Sequence, residues 1–297
     1  MDSEREGVAP LMSTERFRLG EFDVHRVGFG SMQLPGPGVF GPPRYHDQAL
    51  AVLRRAVELG VDHIDTAQFY GPDVANQLIR EALHPYPENL ALVSKVGGRR
   101  DDNGAWLAVQ SPAALRTDIE TNLRTLGVEQ LAVVNLRLMD NEGPNALFDD
   151  QLAVMVAARD EGLIGGIGLS SIELPHLVHA LASTEIVCVQ NPYNLTDRSS
   201  QAVLDECVAR GIAFVPFFPL GSAFAQDNPV LGNPLIQQAA TELRRTPAQV
   251  ALAWTLGVAP NVLLIPGTSS VAHLEDNLAV ADITLDDETR AHLDSVA

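Results

Sequence analysis

Short, almost continuous apolar runs alternate along this chain with longer stretches in which apolar residues recur every three or four positions. The runs RVGFG, DHIDT, LALVSK, LAVVNL, GGIGLS, IVCVQN, IAFVPF and VLLIPG predict eight strands. Hydrophobicity that continues instead of alternating is what parallel strands buried on both faces require. The periodic stretches predict helices near 47–60, 73–84, 112–126, 147–161, 173–182, 199–210, 234–256 and 271–280. In the first of these, Ala49, Leu50, Leu53, Ala56 and Val57 fall on one face. Ahead of them, FRLGEFDVHRVGFGSM reads as a hairpin turning at Gly20.

Eight such units place the chain in the α/β class as a closed (β/α)8 barrel of the TIM type. An open doubly wound sheet is the rival. VGFGSMQLPG, however, has a Gly-x-Gly without the third glycine that would open the helix of a dinucleotide-binding turn. Four stretches, 33–45, 97–110, 137–146 and 219–233, are irregular, and each follows a strand and precedes a helix. That order puts them at the carboxyl ends of the strands, where barrel active sites are built. QLPGPGVFGPPRY is too rich in Pro and Gly for a helix and reads as a semi-rigid pocket wall.

Composition narrows the class. The 297 residues fit one barrel domain over 16–297, preceded by an acidic N-terminal tail over 1–15 that is expected to be flexible. With 46% hydrophobic and 20% charged residues the chain is globular and not disordered. A formal charge of −18 disfavours nucleic acid and anionic membranes as partners, and the pair Arg99–Arg100 is followed at once by Asp101–Asp102. Cys188 and Cys207 have neither metal-ligand spacing nor the pattern of a disulfide framework, so no metal is expected and a reducing compartment is. Without a secretory or membrane-anchoring segment at the N-terminus, the expectation is a cytoplasmic protein, monomeric or a small homo-oligomer.

Four polar residues stand where apolar runs end: Asp65 and Tyr70 in HIDTAQFYG, Lys95 in LALVSKVGG and Arg137 in LAVVNLRLMD. On a barrel, Asp65, Lys95 and Arg137 converge at one rim, and Tyr70 is close enough in sequence to fold over it. A phenol is a weak acid at neutral pH, but an ammonium within hydrogen-bonding reach stabilises its anion. A carboxylate beside the lysine keeps that ammonium charged and oriented. Tyr70 is therefore the expected proton donor, Lys95 its tuner and Asp65 the group that fixes Lys95.

These residues, with GFGSM, GLSS, QNPYN, FFPLGS and LLIPGTSSVAHLEDN at successive strand ends, resemble the aldo-keto reductases from Phe17 to the C-terminus. The resemblance implies a barrel whose base is closed by the N-terminal hairpin. It also implies hydride transfer from a nicotinamide cofactor to a small aldehyde or ketone. The cofactor-binding residues it implies begin with Gly30, Ser31 and Met32, then Ser170, Ser171 and Gln190 at the carboxamide. Phe217 stacks on the nicotinamide, followed by Phe218 and Pro219, with Leu220, Gly221 and Ser222 along the pyrophosphate. Gly267, Thr268, Ser269, Ser270, His273, Asp276 and Asn277 form the adenosine end, where a helix amino terminus suits a phosphate.

The chain departs from the family pattern in three places. Ser171 replaces an asparagine. Gly267 and His273 stand where NADP-dependent relatives offer Lys or Arg, so NADPH is expected through hydroxyls, imidazole and amides, with NADH the alternative. Arg137 stands in place of a catalytic histidine. A guanidinium can donate hydrogen bonds to the carbonyl oxygen but cannot relay a proton, which leaves that step to Tyr70. The structural alternative is that Arg137 pairs with Asp140 or Glu142 and points away. The VVNLR context looks like a bacterial branch of the family that carries this arginine and includes pyridoxal reductases, which implies reduction of pyridoxal to pyridoxine. Alternatives are another carbonyl metabolite such as a keto-sugar, or a nucleotide-binding regulatory module with little turnover.

Overall fold

The N-terminal hairpin pairs Arg16–Leu19 (β1) with Phe22–His25 (β2) around Gly20, as the sequence predicts. The computed structural model describes residues 15–139, 142–222 and 228–296, so the predicted tail lies outside the described residues apart from Glu15. Parallel strands follow at Phe29–Gly30 (β3), His63–Asp65 (β4) and Ala91–Val96 (β5). Gly98–Arg100 (β6) and Trp106–Ala108 (β7) form a separate antiparallel hairpin. Leu131–Arg137 (β8), Ile164–Ser170 (β9), Cys188–Pro192 (β10) and Ala213–Phe217 (β11) complete a 7-stranded sheet ordered β11-β10-β9-β8-β5-β4-β3.

The eighth predicted run closes the sheet by isolated parallel bridges, Val262 with Phe214 on one side and Leu264 with Val27 on the other. Leu263 N donates to Phe214 O at 2.9 Å and Gly28 N to Leu264 O at 2.8 Å. The result is the (β/α)8 barrel that the pattern predicts.

Helices His46–Glu58 (α1), Val74–Leu83 (α2), Pro112–Leu126 (α3), Ala146–Asp160 (α4), Leu174–Leu181 (α5) and Gln201–Arg210 (α6) lie between strands. Pro234–Leu243 (α7), Pro247–Leu256 (α8), Val271–Leu278 (α9) and Asp287–Asp294 (α10) follow β11. Two expectations are corrected and one helix is added. The single helix predicted over 234–256 is two, because Arg244 turns left-handed at φ 53° and Thr246 starts a new capping box with Gln249 ahead of which no helix continues through Pro247. The stretch 97–110, read as irregular, contains the β6–β7 hairpin. The final helix α10 was not anticipated; it is pinned by Trp254 Nε1 donating to Asp294 at 2.7 Å.

Two apolar layers explain why the strands read as continuous runs. Outward residues such as Ile64, Leu92 and Val134 join the helices in the main core. Inward residues Val93, Val133, Val215 and Leu263 fill the lumen, and Leu19 and Val24 of the hairpin cork it from below. Above this plug, a side chain at Gly28 would run into the buried His63 ring, so the lumen is filled at that level without further bulk. Among the described residues, no helix is long and apolar enough to cross a membrane.

Candidate active site

At the carboxyl end of the barrel the inward positions change from aliphatic to polar. Asp65 ends β4, Lys95 is next to last in β5, Arg137 ends β8, Gln190 is central in β10 and Phe217 ends β11. Lys95 is only 3% exposed, and its ammonium donates to an Asp65 oxygen and, at 3.0 Å, to Thr66 O. Burial pulls the lysine's pKa down, but Asp65 and then Tyr70 outweigh it and hold the pKa above the ordinary lysine value. This lysine is a fixed cation. The second Asp65 oxygen accepts from Gln190 Nε2 at 2.6 Å.

Tyr70 reaches the same spot because the chain after β4 coils tightly, with Tyr70 N donating to Ala67 O at 3.0 Å and Asp73 N to Gln68 O at 2.6 Å. The Lys95 ammonium lies 5.1 Å from the centroid of its ring. Arg137 sits over the Phe217 ring at 5.4 Å and lines the same cavity. It makes no ion pair with Glu142, and Asp140 lies outside the described residues; among the described residues its guanidinium faces no carboxylate partner.

The cavity these groups share measures about 560 Å³. Gly30, Met32, Phe218, Pro219, Leu220, Gly221 and Gly267, all among the positions the resemblance assigns to a cofactor, also line it. At Gly30 a Cβ would collide with Ile265 O, so the first and eighth strands approach there as only glycine allows. Three buried polar atoms at this end lack a partner in the structure: Ser31 Oγ, Ser170 Oγ and Gln190 Oε1. Ser170 and Gln190 are register neighbours across β9 and β10. Ser171 turns left-handed at φ 57° and its N–H donates to Gln190 O at 2.9 Å.

The remaining expected positions stand apart from the central cavity. Ser222 follows Gly221 in the chain. Thr268, Ser269 and Ser270 lead into α9, which carries His273, Asp276 and Asn277. Ser270 Oγ caps α9 by accepting from His273 N, and Thr268 Oγ1 accepts from Ser270 N at 3.1 Å. Ser269 lines a second cavity of about 290 Å³ that shares Met32 and Gln33 with the first.

Sequence reasoning placed the wall-forming stretches at this end without naming the side chains that line the cavity. Phe69, Trp106, Met139 and Leu231 line the central cavity. Trp106 meets Phe69 edge-on at 5.7 Å, Phe69 meets Tyr70 at 5.3 Å, and Arg100 lies 4.0 Å over Trp106 while donating to Val39 O at 2.9 Å. A cation thus ties the β6–β7 hairpin to the Pro/Gly-rich loop. Also missed was a buried polar hub behind the rim: Asn122 on α3 donates to Gln68 Oε1 and accepts from Ser94 Oγ and Asn76 Nδ2, at 2.6–2.9 Å. It braces the segments that carry Tyr70 and Lys95. No cluster of metal-ligating side chains occurs among the described residues.

Residues 26–297 match the Aldo/keto reductase family. The chain is 48% identical over 289 residues to pyridoxine 4-dehydrogenase of Escherichia coli (strain K12), covering 96% of this chain and 99% of that protein. It is 37% identical over 278 residues to the uncharacterized oxidoreductase C215.11c of Schizosaccharomyces pombe, covering 93% and 88%. An aldo-keto reductase from Klebsiella pneumoniae, solved in complex with NADPH, superposes with a TM-score of 0.78 at 26% identity, covering 95% of each chain.

Proposed function

The chain belongs to the aldo/keto reductase family, and from that premise we propose that it uses NADPH to reduce a small aldehyde, with pyridoxal, converted to pyridoxine, as the leading substrate. The observation that carries this reading is the buried Asp65–Lys95 pair set against the Tyr70 ring at the floor of an aromatic-walled cavity. The 48% identity to a pyridoxine 4-dehydrogenase supports the choice of substrate.

The residues present suit the cofactor. Ser170 Oγ and Gln190 Oε1 are buried polar atoms waiting for partners, matching the donors and acceptors of a carboxamide. Phe217 offers a ring for stacking, and the close approach at Gly30 leaves a smooth floor. Thr268 and Ser270 use their oxygens as acceptors within the turn before α9, which leaves their hydroxyl protons free for a phosphate. The Klebsiella pneumoniae relative solved in complex with NADPH favours that cofactor over NADH.

When bound, the reduced nicotinamide supplies a hydride to the carbonyl carbon. Tyr70 then gives its phenolic proton to the carbonyl oxygen, and the Lys95 ammonium stabilises the phenolate left behind. Asp65 keeps that ammonium in place. Arg137 donates to the same oxygen as negative charge grows on it, and being permanently charged it does so without exchanging a proton. The phenolate oxygen beside the aldehyde of pyridoxal offers the guanidinium a second acceptor. Phe69, Trp106 and Phe217 line the cavity with aromatic surface suited to a flat ring, which favours pyridoxal over a keto-sugar.

The test is turnover. Purified protein mixed with NADPH and pyridoxal is expected to consume the reduced cofactor and yield pyridoxine. No consumption above background, with pyridoxal and with a panel of other aldehydes, overturns the enzymatic reading in favour of a nucleotide-binding module.

A further inference from the structure

Asp65 and Gln190 come from opposite sides of the lumen and meet at 2.6 Å. Asp65 is 3% exposed and Gln190 1%, so the two side chains meet as buried groups. The orientation of the Gln190 amide follows from chemistry: an ionised carboxylate only accepts, so the NH2 group must face Asp65. Its carbonyl, Oε1, is thereby turned away, buried and without a partner. Lys95, which only donates, takes the other Asp65 oxygen.

We propose that Asp65 and Gln190 form one coupled unit, in which Asp65 sets the direction of the Gln190 amide for the cofactor and Gln190 in turn fixes Asp65 for the proton-donating group. This rests on the reductase reading above. Asp65 acts on the cofactor only through Gln190, and Gln190 acts on Tyr70 only through Asp65 and Lys95, so each is a positioning residue for the other's task. Other ionisable groups around the pair are Lys95, Tyr70 and Arg137 on the cavity floor, Cys188 beneath it on β10, and His63 earlier on β4.

The unit predicts an unusual rescue. In Asp65→Asn the lysine keeps the remaining carbonyl oxygen and the new NH2 group faces Gln190, whose amide must then flip and present NH2 to the cofactor side. NADPH affinity, measured by quenching of protein fluorescence without any substrate, should fall about tenfold. Gln190→Glu alone sets two carboxylates against each other and should weaken binding similarly. In the combined variant Asp65→Asn/Gln190→Glu, donor and acceptor have simply changed sides, total charge is unchanged and an acceptor again faces the cofactor. Its NADPH affinity should return to within about threefold of the native protein.

Rates at saturating NADPH provide the second reading: Gln190→Leu should lower kcat with little change in the KM for aldehyde. The inference is overturned if Asp65→Asn binds NADPH like the native protein, or if the combined variant is no better than the weaker single one. Because the affinity arm needs no turnover, a protein that binds NADPH but reduces no aldehyde would overturn the proposed function and leave this coupling open to the same rescue experiment.

Discussion

Two aspartates three positions apart, Asp62 and Asp65, bracket the same short strand, and both are buried and ion-paired. At the base, Asp62 accepts from Arg16 at 2.9 Å and from the backbone N–H of His25 at 3.0 Å, with His25 Nδ1 at 2.7 Å. These partners seal the hairpin against the barrel and no cavity among the described ones opens onto them. At the top, Asp65 takes Lys95 and Gln190, beside a cavity and beside polar atoms that still lack partners. A buried carboxylate with a cation is therefore no mark of function by itself. What separates the two ends is access: the partnerless polar atoms at the rim lie beside a cavity, whereas those at the base, the two His63 ring nitrogens, are packed against Gly28.

The sharpest way to break that contrast is at the rim. Tyr70→Phe removes the proton donor and nothing else, so kcat should fall by about 10² to 10⁴ while the melting temperature and NADPH affinity stay near native. A variant that reduces aldehyde at the native rate would take Tyr70 out of its role. The next largest effect belongs to Arg137. Arg137→Met should lower kcat/KM by about 10²-fold, the scale for losing one donor to a developing oxyanion. Arg137→His should recover part of that rate, with a new pH limb in the imidazole range near ~6.5 that the native arginine cannot produce. A pH-independent recovery would mean that the imidazole does not contact the reacting oxygen.

The same contrast explains what could be read in the chain. Strands declared themselves because both of their faces are apolar, and Asp65, Lys95 and Arg137 stood out because each interrupts an apolar run at the strand end that faces the cavity. Asp62 begins the run that Asp65 ends, so the position along the strand, and not the residue type, tells a base from a rim. Trp106 and Met139 were legible only as members of stretches at the active-site end, and for Trp106 the place in the wall depends on a hairpin that Arg100 holds across many residues. Asp118, Asn122 and Thr125 are polar positions on α3, yet they are buried and bonded to Arg99 of β6, Ser94 of β5 and Asn76 of α2 in turn. The eighth strand was legible as a run although only isolated bridges join it to its neighbours.

At the base the expected effects are on stability alone. Asp62→Asn keeps the shape but loses charge-assisted bonds to His25 and the half-exposed Arg16, which should lower unfolding free energy by about 1–3 kcal/mol and leave kcat unchanged. Chemical denaturation paired with the turnover assay checks both halves. A fall in kcat larger than the fall in folded fraction would mean that the two ends of β4 are not independent.

The smallest effect is the pH dependence of that difference. Burial pushes the Asp62 carboxyl up, but hydrogen bonding and charge from His63 and charge from His25 outweigh it, leaving its pKa below the ordinary value of 3.8. A carboxyl depressed in the folded protein binds its proton first in the unfolded chain, so acid favours unfolding. Its contribution is fully present above about 3.8 and disappears as the pH falls from there through the folded value. Asp62→Asn has no proton to gain, so its stability should decline less steeply across that window and the native and variant curves should draw together. Parallel curves down to the acid limit would show that the hairpin latch holds without the charge on Asp62, and that burial and shape alone close the base.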